Sequence, residues 1–189
     1  MLPGDRAIDA RSASVDPAEL VEAADRAAML LVRGAHDSDD SGVAERLLHL
    51  ADTEGIETIA EVWARSPGDT LAGCLWRLYL LRSWVYADPV GVAREFEAGR
   101  ATAPVARVVA GVADPPGPDE LKAMIDQVLR GIAEGEFADV LFRAAAFARV
   151  VATGRAGMPS VDHHDVTRML ALAEQLEAAG HQELHHGLA

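Results

Sequence analysis

The chain has 189 residues, half of them hydrophobic and a quarter charged, with a net charge of −13 and a single cysteine. That is enough apolar material for one core and too much for global disorder, while so negative a surface repels nucleic-acid phosphates and anionic lipid headgroups. One cysteine excludes an internal disulfide framework and any zinc site built on several thiolates.

Residues 1–13 read as a tail without fixed structure, and Met1 to Val15 lack the charged-then-apolar layout of a signal peptide, which points to the cytoplasm. From residue 14 to 189 the pattern is that of one helical domain. Asp16-Pro17-Ala18-Glu19 opens the first helix with a capping carboxylate, a proline that needs no donor, and a glutamate placed to answer the cap. Its apolar stripe is Leu20, Ala24, Ala27 and Leu31, and Gly34 reads as its stop. Asp37-Ser38-Asp39-Asp40-Ser41-Gly42 starts like a calcium loop, but Leu48 stands where the closing glutamate belongs, so capping of the next helix is the reading. Val43, Leu47 and Leu50 form that helix's stripe, and Ile56, Ile59, Ala60 and Trp63 another, with Glu54, Glu57 and Glu61 as a solvated acidic face.

Ser66-Pro67-Gly68-Asp69 signals a further start before Leu71 to Tyr86, which is apolar almost all round. A bilayer span needs roughly 20 residues without charges; this stretch is shorter and holds Arg77 and Arg82, so it belongs in a core. Asp88-Pro89 begins the next helix; Val105, Val108, Val109 and Val112 suggest a short one; Asp114-Pro115-Pro116-Gly117 is a link. Three more stripes follow: Leu121, Met124, Ile125, Val128 and Ile132; Phe137, Leu141, Ala144, Ala148 and Val151; Val166, Met169, Leu170, Ala173 and Leu176, the last capped by Ser160 or Asp162. Gly99, Gly111, Gly154 and Gly180 read as stops. The echo between Gly99-Arg100-Ala101 and Gly154-Arg155-Ala156 is read as chance, and the near-absence of lysine, with Lys122 alone, as codon bias. The expected fold is therefore all-α, a bundle of seven to nine helices around the apolar helix Leu71 to Tyr86.

No Gly-x-Ser-x-Gly elbow, phosphate loop or dinucleotide fingerprint is present, and Cys74 lies in an apolar run where a buried, inert thiol is expected. Arg77 and Arg82 must find carboxylate or carbonyl partners in so apolar a helix. With Trp76 and Trp84 they form the candidate clamp for an acidic ligand or partner, since guanidinium holds carboxylates through two bonds. His181 and His185 are one helical turn apart. If they met His49, three imidazoles would leave one open metal position. His163 and His164 are surface residues beside a cap, and His49 alone reads as a histidine held by Glu45.

These features favour a non-enzymatic protein-interaction or regulatory module without a cofactor, whose partner is a protein, itself included as a homodimer, and neither nucleic acid nor membrane. The alternative is a metal-dependent or small-molecule-binding helical enzyme using zinc or iron on His49, His181 and His185.

Overall fold

The computed structural model describes residues 17–36, 63–102, 118–134, 136–159 and 162–188, and among these all regular secondary structure is α-helical. Six helices follow in order: α1 (Pro17–His36), α2 (Leu71–Ala87), α3 (Pro89–Arg100), α4 (Pro118–Glu134), α5 (Phe137–Ala156) and α6 (His163–His186). The expected stripes at Val43 to Leu50 and Val105 to Val112, the loop Asp37 to Gly42, His49 and the tail 1–13 lie outside the described residues.

Capping chemistry places the helix starts. Asp88 serves two helices at once: its backbone N–H donates to the Trp84 carbonyl at 3.4 Å, ending α2, and its Oδ1 accepts from the Gly91 N–H at 2.9 Å, beginning α3. Asp162 caps α6 by accepting from the His164 N–H at 2.8 Å. At α2 the cap is Thr70 and not Ser66. The Thr70 hydroxyl accepts from the Gly73 N–H and donates to the Pro67 carbonyl, both at 3.1 Å. Ser66 to Thr70 is a turn that precedes the helix, so the capping signal in the sequence is displaced by four residues.

Two helices share the interior. α2 packs on each of the other five described helices, and Leu71, Leu75, Leu78, Leu81 and Val85 are all but sealed from solvent. At roughly 1.5–3 kcal/mol for each large apolar side chain removed from water, that burial outweighs the polar contacts α2 makes. α5 is the second core helix. Its run Ala144, Ala145, Ala146, Phe147 and Ala148 is buried, and the small side chains let α3 and α6 come close along it. Trp63 closes the α1 side: its indole N–H donates to the Ala24 carbonyl at 3.2 Å and its ring stacks on Tyr79, centroids 6.0 Å apart.

Four glycines expected as stops lie inside helices. Gly99 and Gly154 face each other where α3 crosses α5. A methyl group on Gly99 would stand 1.9 Å from the Val150 carbonyl oxygen, and one on Gly154 would stand 1.7 Å from the Glu95 oxygen. The approach is reciprocal, each glycine lying against the carbonyl four residues before the other. The repeated Gly-Arg-Ala triplet thus marks a helix crossing and not a coincidence of composition. Gly180 lies under the Phe142 ring, which a methyl group would meet at 2.8 Å. Gly34 also falls within α1.

Past Gly180, which reads as a stop in the sequence, α6 continues through the histidine-rich end to His186 and is stopped by Gly187 at φ 72°. Arg33 of α1 holds it in place. Its two terminal nitrogens donate to the two Glu183 oxygens at 2.5 and 2.8 Å, Glu183 also accepts from the Leu188 N–H at 2.7 Å, and the Leu188 side chain is buried. Burial by itself would raise the Glu183 carboxyl, but the Arg33 hydrogen bonds and charge and the Leu188 N–H outweigh it and hold the group below its ordinary value. A carboxyl whose pKa is depressed by folding stabilises the fold at all pH above its unfolded value and loses that contribution as pH falls through the folded one. Urea midpoints of the wild type and Glu183→Gln are therefore expected to differ at neutral pH and to converge below the normal carboxylate range. A constant gap from pH 7 to pH 3 would refute this link.

Candidate binding cleft

Two recesses lie along the seam between α2 and α6. The helices run in opposite senses there: Gln182 donates to the Asp69 carbonyl at 3.5 Å, Arg77 donates to Gln175 at 2.6 Å, and Leu80, Leu81 and Trp84 line one recess with Arg168, Met169 and Leu172. The first recess is a cleft of about 290 Å³ lined by Leu80, Leu81, Trp84, Met169 and Leu172 together with Arg155, Asp165 and Arg168. The spacing 80, 81, 84 on α2 and 168, 169, 172 on α6 brings each set to one side of its helix. Leu80 is exposed, while Trp84, Met169 and Leu172 are partly buried against the core.

Its two guanidinium groups differ. Arg155 comes from α5, with its carbon 5.0 Å from the centre of the Trp84 ring, and its Nε and Nη2 donate to the two Glu95 oxygens at 2.8 and 3.0 Å. The pair is only 15% exposed on either side, so Arg155 is a fixed wall. Arg168, on α6, is 73% exposed and forms a loose ion pair with Asp165, whose Oδ1 stands 4.0 Å from Nη1, beyond hydrogen-bonding distance.

The second recess, about 300 Å³, lies farther along the seam between Gly68, Asp69, Arg77, Gln175 and Gln182. Arg77 is committed there: its Nε donates to Gln175 Oε1 at 2.6 Å and its Nη1 to the Gly73 carbonyl at 2.7 Å.

The four residues expected as a clamp do not share one recess. Trp84 lines the cleft and Arg77 the second recess. Trp76 packs partly buried against the core. Arg82 is buried; its Nε donates to Asp126 Oδ1 of α4 at 2.9 Å and its guanidinium lies 4.1 Å from the Tyr86 ring centre. The partner that physics demanded for Arg82 is thus a carboxylate of this chain. Arg155, Arg168, Met169 and Leu172 were not read as site residues from sequence, where Met169 stood only in a core stripe and Arg155 only in a repeated triplet.

Of the expected metal residues, His49 is outside the described residues. His181 meets the edge of the Phe142 ring at 5.0 Å and His185 lies 6.2 Å from the His186 ring. Among the described residues no group of three or more His, Cys, Asp or Glu gathers as metal ligands. Cys74 is buried, and desolvation pushes its thiol up to about 12 despite the nearby Arg77 charge, so it stays protonated and inert at neutral pH. Burial likewise raises the Tyr79 phenol.

Among the described residues no helix is long and apolar enough to cross a membrane. No protein-family model, curated protein or solved structure matches the chain.

Proposed function

We propose that this chain is a non-enzymatic interaction or regulatory module of the cytoplasm, and that the cleft between α2 and α6 is where it engages another molecule. One observation carries the reading: the cleft gathers solvent-facing apolar side chains, Leu80, Trp84, Met169 and Leu172, beside two guanidinium groups, in a concave site. The Cys74 thiol is held in its neutral form.

The dye 8-anilinonaphthalene-1-sulfonate, an apolar body with one anionic group, tests the site. Its fluorescence is expected to rise saturably with the native protein. Met169→Glu is expected to lower the affinity at least tenfold, because it places a carboxylate in the apolar wall. Helical circular dichroism must be unchanged in that variant. No enhancement with native protein, or enhancement indifferent to Met169→Glu, would overturn the reading. A protein partner, itself included as a homodimer, would meet an apolar face such as the exposed Tyr86 and Val90 on α2 and α3. Light scattering tests it, and a monomer at high micromolar concentration removes the dimer while leaving the cleft.

A further inference from the structure

The chemistry of the cleft walls selects among occupants. Leu81, Met169 and Leu172 provide an aliphatic floor, and the Trp84 ring closes one end beneath Arg155. The Arg155 charge is already answered by both Glu95 oxygens. Arg168 differs, since its guanidinium stands at the mouth with Asp165 too far to hydrogen-bond. The cleft therefore joins one apolar trough to one exposed guanidinium that is held by a loose ion pair with Asp165 and not by a hydrogen bond to it.

We propose that the cleft binds a small amphipathic monoanion, an aliphatic carboxylate of about eight carbons, with its chain along Leu81, Met169 and Leu172 and its carboxylate on the Arg168 fork. This rests on the cleft being the working site. Size suits a small molecule: about 290 Å³ lies just below the range of roughly 300–1,000 Å³ for ligand pockets. Charge argues for a single negative group. The chain carries a net −13 and Asp165 flanks the mouth, so a polyanion would be repelled while one carboxylate finds one guanidinium.

The test uses the full chain and three probes of equal chain length, octanoate, 1-octanol and octylamine, titrated calorimetrically. Octanoate is expected to bind one-to-one, octanol about tenfold more weakly for want of the charged hydrogen bonds, and octylamine more weakly still. Arg168→Ala is expected to bring octanoate down to the level of octanol and leave octanol unchanged. Arg168→Lys is expected to restore part of the difference, and Asp165→Asn to tighten octanoate two- to fivefold by removing the competing carboxylate. Octanol binding as tightly as octanoate, or octanoate indifferent to Arg168→Ala, overturns the anion assignment and leaves the cleft as a neutral apolar site. Octanoate binding that survives Met169→Glu places the ligand elsewhere and overturns the proposal too. Failure of all three probes, together with the dye, sinks the cleft itself.

Discussion

Gly154→Ala is expected to lower stability by about 3 kcal/mol or more, because a backbone oxygen must move and it cannot do so alone. The added methyl would stand 1.7 Å from the Glu95 carbonyl oxygen. That oxygen belongs to α3, so the whole helix must retreat from α5, opening the packing around Phe96 and Phe147, whose rings stack at 5.6 Å. The direction is diagnostic. Glycine to alanine inside a helix ordinarily stabilises by roughly 0.5–1 kcal/mol, since the unfolded chain loses freedom. Gly157→Ala, three residues on, is the matched control: its φ of −84° suits any residue and the nearest atom is at 3.5 Å. It is expected to be neutral or slightly stabilising. Chemical denaturation of both variants decides the matter, and a Gly154→Ala protein as stable as the wild type would mean that the two helices do not touch there.

Asp126→Ala should cost about 2–4 kcal/mol, the largest expected loss among the polar contacts, because it strips a carboxylate from a buried arginine. The Arg82 side chain is 8% exposed and that of Asp126 18%, so water offers little replacement. The Tyr86 hydroxyl also donates to Asp126 at 2.6 Å and loses its acceptor. The net worth of the pair is smaller than the cost of breaking it, since both ions were desolvated to form it. Pairing Arg82→Met with Asp126→Leu is therefore expected to recover most of the loss, leaving the double variant within about 1 kcal/mol of the wild type. Urea midpoints of Arg82→Met, Asp126→Leu and the double variant form the cycle, and strictly additive losses would show that the charges do not interact.

How far the structure was legible in the sequence depended on whether a residue's role is local. Asp88-Pro89 and Asp162 worked as read, because a cap closes on an amide two or three residues away and needs nothing else. The all-helical class was legible for the same reason, through stripes such as Leu121, Met124, Ile125 and Val128, which are buried on α4. The glycines were misread because lack of a Cβ serves two ends. It permits the left-handed stop at Gly187, and it permits the close approaches at Gly99, Gly154 and Gly180. Which end applies depends on a second helix some 55 residues away for the first pair. Arg82 showed the same split. That it needed a partner followed from its apolar surroundings, but Asp126, at a separation of 44 residues, is found only by folding the chain. The cleft was least legible, since it is assembled from α2, α5 and α6 and none of the three presents it alone.

Arg155 also supplies a reason for a feature of composition that base content alone had seemed to explain. Its flat guanidinium lies over the Trp84 indole while its edge meets both oxygens of Glu95, so a single side chain ties the second, third and fifth helices together at one point. An ammonium carries the same charge but has neither a plane to lay on a ring nor two parallel donors to offer a carboxylate. At this position the choice between the two cationic amino acids is one of shape, and lysine would leave a wall of the cleft unsupported.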